Sequence, residues 1–154
     1  MVFEFKDYIL LVEVTLTSSS RQIAAEVEPV RRHVADAKEK LNASQKQKPV
    51  YCLFIAPSID NNTAETFRIG VWYREDQEHY VNILPLTLDQ FKQVVRLLER
   101  KYTPSQFQQL LVHCLAHRNA KTPEWKRLIQ AETDRWVQQI SESGTGSQSA
   151  SPGC

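Results

Sequence analysis

The stretch YILLVEVTLTSSSRQIAAEVEPVRRH, from Tyr8 to His33, decides the fold of this chain. Its first part, Tyr8 to Thr17, is apolar and alternating, which is typical of a partly buried β-strand. The three serines that follow predict a turn, and one of them is expected to cap a helix that starts near Arg21. Pro29 lies within that helix and should kink or split it, because proline lacks the amide hydrogen that a helix requires.

The rest of the chain predicts more strands in the N-terminal half and helices in the C-terminal half. Val2 to Phe5 forms a hairpin with the first strand across Lys6-Asp7, and the continuous apolar run Val50 to Ala56 suits the middle of a sheet. Two short strands are predicted at Val71 to Tyr73 and at Tyr80 to Leu84, the latter ended by Pro85. Helices are predicted at Asn62 to Phe67, Thr87 to about Lys101, Thr103 to about His117 and Thr122 to about Ile140. Residues 1–141 thus read as one α/β domain, and the polar tail 142–154 is expected to be disordered.

Size and composition favour a single reduced intracellular domain. The chain has 154 residues and a formal charge of +1, from 19 basic and 18 acidic side chains, so that no global field attracts nucleic acid. Its three cysteines show no regular spacing, which is typical of free thiols rather than of a disulfide scaffold. The sequence has no pattern of a signal peptide and no apolar run of membrane-spanning length. We expect a cytoplasmic protein that does not enter a membrane.

Two acidic side chains of the quoted stretch are spaced so that they could meet. Glu13 shares one strand face with Thr15, because strand side chains alternate. Gln22, Glu26 and His33 fall on one side of the following helix. If that helix packs over the strand, Glu13 and Glu26 approach and repel one another unless a cation bridges them. Carboxylates in this arrangement favour Mg²⁺ or Mn²⁺, ions that promote hydrolysis of phosphodiester bonds.

A purely structural interpretation stays open on spacing alone. Glu13 would then pair with Arg31 or Arg32, since ion pairs also place charged residues on strands. The basic residues between Arg21 and Lys48 are open to two interpretations in the same way, as a local patch for nucleic acid or as a solvated helix face.

Four segments together resemble a known family: LLVEVTLTSSSRQ, AEVEPVRRH, FIAPSIDNNTAETFRIGVWY and ILPLTLDQF. They resemble the AlwI family of type II restriction endonucleases and the related site-specific nicking endonucleases. The resemblance covers Phe3 to about Val94, and EVT followed by EVEPVRRH is its most specific part. It implies a PD-(D/E)xK nuclease-like core, in which a mixed β-sheet flanked by helices carries the acids, with a helical C-terminal half.

On this resemblance, Glu13 matches the glutamate that binds the catalytic metal. The carbonyl oxygen of Val14 is a further expected metal ligand, and Thr15 stands where the fold usually has a lysine. The family pattern also has a Pro-Asp pair before the first strand, and its aspartate would fall just upstream of Met1. The chain is therefore expected to be the C-terminal part of a longer nuclease, a split-gene product or a polypeptide with an upstream start. Asp7 is a less favoured substitute for that aspartate, because it reads as part of the hairpin turn.

Residues of the following helix complete the implied site. Gln22, Glu26 and His33 match polar positions there, with Glu26 as a further acid near the metal. His33 is expected to orient water or to contact the scissile phosphate. The basic patch supplies the expected DNA-binding residues, Arg21, Arg31 and Arg32.

The resemblance implies a Mg²⁺- or Mn²⁺-dependent DNA endonuclease of type II, of a type IIS-like restriction or nicking class. We expect it to be impaired in this form, because one metal ligand is missing. The alternative is a non-catalytic subunit that binds DNA or a complete nuclease. Double-stranded DNA is the expected partner, and a homodimer or a recognition subunit would be needed to cut both strands.

Overall fold

Six strands and six α-helices are present in a computed structural model that describes residues 1–44, 47–74, 77–97 and 102–143. The strands are β1 (Val2–Glu4), β2 (Ile9–Val14), β3 (Val50–Ala56), β4 (Val71–Arg74), β5 (Gln77–Tyr80) and β6 (Asn82–Thr87). The helices are α1 (Arg21–Ala25), α2 (Val27–Ala43), α3 (Asn61–Ile69), α4 (Leu88–Val95), α5 (Pro104–Ala116) and α6 (Thr122–Ser143). A 3₁₀ turn, His117–Asn119, connects α5 to α6.

The main sheet has the strand order β1-β2-β3-β6 and is mixed, as expected. β1 and β2 form the predicted antiparallel hairpin, in which the Phe5 amide donates to the Tyr8 carbonyl oxygen over 2.9 Å. β2, β3 and β6 are parallel neighbours, so their carboxyl ends lie along one edge of the sheet. β4 and β5 form a separate antiparallel pair.

The central position of β3 confirms the prediction from its apolar run. All seven of its residues are buried, because it lies between β2 and β6 and helices cover both faces of the sheet. On one face α2 packs against β2 and β3. On the other face α4 and α5 enclose an apolar groove with β1, β2 and β3.

The strand predicted at Tyr80 to Leu84 is two elements in the structure. Tyr80 ends β5, whereas β6 starts at Asn82 and continues through Pro85 to Thr87. The prediction that Pro85 ends a strand is wrong. β6 lies at the edge of the main sheet, where one row of amides needs no strand partner, and proline is tolerated on such strands.

The helix after the serines is divided, as predicted. α1 ends at Ala25 and α2 begins at Val27, because the ring of Pro29 clashes with a carbonyl four residues earlier, that of Ala25. The predicted serine cap is wrong, since the side chain of Ser20 makes no capping hydrogen bond. β2 ends at Val14, earlier than predicted.

The C-terminal helices begin where they were predicted to begin. Thr87 and Thr103 each form a capping box with the glutamine three residues later, and α6 starts at Thr122. α6 continues to Ser143, beyond its predicted end, and α3 is slightly longer than predicted. The predicted end of α4 near Lys101 and the tail residues 144–154 lie outside the described residues. None of the described helices has both the length and the apolar character needed to cross a membrane.

Candidate active site

The predicted site lies at the carboxyl end of β2, where the strand meets α1 and α2. Ile9, Leu11 and Glu13 project from the same face of β2, as the alternation predicted, and face α2. With His33, Asp36 and Lys40 of α2 they line an open groove of about 420 Å³. The groove thus has an apolar floor at its inner end and charged side chains where β2 ends.

Glu13 and His33 form a pair within this groove. The Oε1 atom of Glu13 lies 3.2 Å from Nδ1 of His33, and 27% of the Glu13 side chain is exposed. Neither Arg31 nor Arg32 pairs with Glu13, contrary to the structural interpretation. Arg32 instead pairs with Glu28 at 3.4 Å, and Arg31 lies over the Trp72 ring, 5.3 Å from its centroid.

Glu26 lies beside a second set of polar groups, from the segment after β2. The hydroxyl groups of Thr15 and Thr17 both donate to Oε1 of Glu26, over 2.8 and 3.0 Å. The Thr17 amide in turn donates to Oγ1 of Thr15 over 3.0 Å. Glu26 occupies the break between α1 and α2, so these bonds attach the break to the end of the strand. Its predicted part in metal binding stays a prediction.

Gln22 is fully buried and is bonded to backbone groups on two segments. Its Nε2 atom donates to the carbonyl oxygens of Thr17 and Ser58, over 2.7 and 2.6 Å, and its Oε1 atom accepts from the Asp60 amide over 3.1 Å. A side chain that is hydrogen-bonded in this way holds the loops after β2 and β3 together. This geometry supports a positioning role for Gln22 at the site.

The backbone of Val14 is directed toward the β1 side of the sheet. The Val12 amide donates to the Met1 carbonyl oxygen over 2.8 Å, and the Met1 ammonium group donates to the Val12 carbonyl oxygen over 3.0 Å. Because backbone groups alternate along a strand, the carbonyl of Val14 points to the same side as that of Val12. This oxygen and the Glu13 carboxylate therefore both lie near the end of β2.

The three predicted DNA-binding arginines have different surroundings. Arg21 is exposed at the start of α1, and Arg32 is exposed beside Glu28. Arg31 is half-buried, and burial lowers the pKa of its guanidinium group. Arg21 and Arg32 are thus accessible to a ligand, whereas Arg31 packs on Trp72. Their DNA contacts stay predictions.

Sequence reasoning missed two charged residues of the groove, Asp36 and Lys40. They lie three and seven residues after His33 on α2, a spacing that places them on the same helix face. Extending the stripe of Gln22, Glu26 and His33 by two more turns could have found them.

The donor atoms at this site suit a hard cation that keeps water in its shell. Among the residues that the structure describes, no group of three or more His, Cys, Asp or Glu side chains is arranged to hold a metal. Mg²⁺ however commonly binds through one or two carboxylates, with waters and substrate phosphates completing its shell. The carboxylate of Glu13 and the carbonyl of Val14 fit that mode of binding.

Comparison with known proteins gives the family of this chain. A family model described as AlwI restriction endonuclease matches residues 1–94, which is more than half of the 154 residues. The chain belongs to the AlwI restriction endonuclease family. This confirms the resemblance found in the sequence and indicates a nuclease-related role in restriction. The part matched to the AlwI family contains the β1–β2 hairpin and the groove, and it ends within α4.

The fold is also similar to that of a solved restriction enzyme subunit. The small subunit of the heterodimeric restriction endonuclease R.BspD6I superimposes with a TM-score of 0.61 at 24% sequence identity. The alignment covers 92% of this chain and 66% of that subunit, so this AlwI family member spans about two thirds of the length of its structural neighbour. No curated protein matched the sequence.

Proposed function

We propose that this chain forms the cleavage core of a divalent-metal-dependent DNA endonuclease of restriction or nicking type, with a PD-(D/E)xK-like fold. The observation that carries the proposal is Glu13, a carboxylate at the exposed end of a core strand, beside a groove and paired with a histidine. A carboxylate at that place is open to water and, with one histidine partner, keeps room for further hydrogen bonds or a cation. Membership of a restriction endonuclease family supports the same chemistry.

Glu13 and the Val14 carbonyl would hold Mg²⁺ or Mn²⁺, and the ion would activate water and offset charge on the phosphoryl group. The other residues act on Glu13 and on the chain around it. His33 holds Oε1 of Glu13, and therefore fixes the direction of the carboxylate. Thr15 cannot supply the charge of a lysine, and its hydroxyl instead donates to Glu26. Gln22 fixes the loop through which β2 reaches the helix.

The register between β1 and β2 shows where an added acidic residue would lie relative to Glu13. Val2 pairs with Leu11, so a residue added before Met1 would pair with Glu13 and lie on the same face of the sheet. An aspartate placed there would bring a second carboxylate beside Glu13, where two acids favour a bridging cation. The family pattern has its aspartate at this place.

The test compares nicking of supercoiled plasmid in Mg²⁺ by three chains. The first is the chain as it stands, the second carries an added Pro-Asp before Met1, and the third adds Glu13→Gln to the second. We expect nicking by the second chain, little or none by the first, and a loss in the third. Failure of both the first and second chains to nick DNA, with circular dichroism showing that both are folded, would overturn the catalytic proposal.

The second candidate function is a non-catalytic subunit that binds DNA or a partner nuclease. The observation that favours it is the similarity of the fold to the small subunit of a heterodimeric restriction endonuclease. Under this candidate, Glu13→Gln would leave binding of duplex DNA or of the partner unchanged, whereas the catalytic proposal expects weaker Mn²⁺ binding by calorimetry.

A further inference from the structure

A second cavity opens at the carboxyl edge of the sheet, beyond the ends of β3 and β6. Its volume is about 350 Å³, and it lies between the loop after β3, the start of α4 and the first half of α6. In open sheets with parallel strands, ligands bind in crevices outside the carboxyl ends of the strands. The cavity therefore lies at an edge that suits a ligand, although no sequence motif pointed to it.

The polar lining of this cavity consists of cations, amides and one hydroxyl group. The residues are Asn61, Thr87, Gln90, Lys126, Arg127 and Gln130. Within the described part of the chain no carboxylate lines the cavity. Of the acids nearby, Asp60 accepts from the amides of α3, Asp89 pairs with Lys92, Asp134 accepts from Gln130, and Glu124 lies in the first turn of α6. The lining itself carries two cations and no carboxylate, which suits a phosphate group.

The two cations of the cavity differ in what they contact. Lys126 Nζ donates to the Ile59 carbonyl oxygen over 2.6 Å and to Asn61 Oδ1 over 3.0 Å, so it holds the wall of the cavity in place. Arg127 is exposed and has no hydrogen bond or ion pair with any residue that the structure describes. Arg127 is therefore the cation that remains available to a ligand.

The loop after β3 connects this cavity to the groove of Glu13. Gln22 bonds to Ser58 and Asp60 from one side of the loop, and Lys126 bonds to Ile59 from the other side. Neighbouring strands lie about 4.8 Å apart, so the ends of β2 and β6 are separated by roughly 10 Å. This short separation allows one strand of a duplex to reach both places.

We propose that the cavity binds a backbone phosphate of duplex DNA close to the bond at the Glu13 site. Arg127 contacts that phosphate, and Lys126 and Asn61 shape the wall beside it. The contact positions the duplex along the carboxyl edge of the sheet and is independent of base sequence. The inference rests on the proposed function, because it takes DNA as the substrate.

The test measures binding of a fluorescently labelled duplex by anisotropy, in EDTA so that no cleavage occurs, over a range of sodium chloride concentrations. Arg127→Gln is expected to weaken binding by about three- to ten-fold and to reduce the slope of log K against log salt by about one. The matched control is Arg96→Gln, which removes the same charge at the other end of α4. There Val95 lines a groove with Tyr8, at the amino end of β2. The control should bind as the unchanged chain does.

Three results would overturn the proposal: no binding by the unchanged chain, equal binding by Arg127→Gln, or an equal loss in Arg96→Gln. The plasmid assay separates this inference from the proposed function. If Glu13→Gln abolishes metal-dependent nicking while Arg127→Gln binds DNA as the unchanged chain does, only the proposed contact in the cavity is overturned.

Discussion

Two glutamate–histidine pairs of nearly equal length lie in very different surroundings in this protein. Glu13 and His33 are 3.2 Å apart in an open groove, where 27% of the Glu13 side chain is exposed. Glu132 and His117 are 3.1 Å apart, where the end of α5 meets the middle of α6, and only 9% of the Glu132 side chain is exposed. Arg135 also donates from Nη1 to both oxygens of Glu132, over 2.9 Å in each case.

The difference shows that a short distance between two charged groups does not by itself indicate function. The oxygens of Glu132 are bonded to His117 and Arg135. Burial, with some effect of the Glu132 charge, raises the pKa of the neighbouring Cys114 thiol to about 12, as expected in a packed interior. Glu13 accepts from His33 alone among the described residues, and a carboxylate has room for about four hydrogen bonds. The exposed pair therefore retains capacity for a ligand.

The largest expected effect is on catalysis at the exposed pair. In the chain with Pro-Asp added before Met1, Glu13→Gln should slow metal-dependent nicking at least ~100-fold, or about 3 kcal/mol in activation free energy. The free energy of unfolding should change by less than about 0.5 kcal/mol, since the groove is open to water. Initial nicking rates and urea unfolding followed by tryptophan fluorescence measure both quantities. Glu28→Gln on α2 is the matched control and should nick normally; a large loss of stability in Glu13→Gln would instead indicate a structural pair.

The buried pair should show the opposite behaviour. Glu132→Gln should lower the free energy of unfolding by about 1–3 kcal/mol, because the amide cannot satisfy His117 and Arg135 together. Nicking by the folded fraction should be unchanged, because Glu132 contacts His117 and Arg135, and none of these three residues lines the groove of Glu13. Urea unfolding of the variant and of the unchanged chain is the measurement. Equal stability of the two would show that burial does not distinguish the pairs.

A third carboxylate, that of Glu65, shows how hydrogen bonds change a pKa where the side chain is not deeply buried. Arg68 and Thr122 both donate to Glu65, and these bonds lower its pKa to about 2, although 41% of its side chain is exposed. Because the pKa of Glu65 is lower in the folded chain than in the unfolded chain, where it is near 4.3, the ionised carboxylate stabilises the fold at pH values above about 4.3. This contribution is lost as the pH falls toward 2.

Glu65→Gln should therefore lower the free energy of unfolding by about 1 kcal/mol at neutral pH, after allowance for solvent screening. The gap between this variant and the unchanged chain should close as the pH falls from about 5 to about 2. Urea unfolding at a series of pH values measures it. A gap that keeps its full size at pH 2.5, within that window, would contradict the pKa assignment.

The smallest expected effect is at Thr15, which stands where the fold usually has a lysine. Thr15→Val removes one of the two hydroxyl donors to Glu26, and Thr17 still provides the other. The expected loss is about 0.5 kcal/mol in the free energy of unfolding, because water can replace a bond in this half-exposed place. Chemical denaturation measures the loss. A loss several times larger would mean that the segment after β2 behaves as part of the core rather than as part of an open site.

Much of the site could be predicted from sequence because its signals are local. Alternation along β2 placed Glu13 on the face toward α2, and Pro29 predicted the break at which Glu26 lies. The partners could not be predicted in this way. The structural interpretation offered Arg31 or Arg32 as the partner of Glu13, whereas the rotation of α2 over the sheet brings His33 to it. Spacing likewise did not show that Gln22 bonds to the loop after β3, which lies far along the chain.

The sequence by itself determined the family, the central strand, the hairpin, the divided helix and the capped starts of α4 and α5, since these depend on neighbouring residues. The tertiary structure decided that β6 continues through Pro85 at a sheet edge, and that one glutamate–histidine pair is buried while the other is open. It also decided that Arg127 and Asn61 share a cavity, although they lie on different helices. These features depend on how distant elements pack, and the order of parallel strands in the sheet, which local patterns do not specify, fixes that packing.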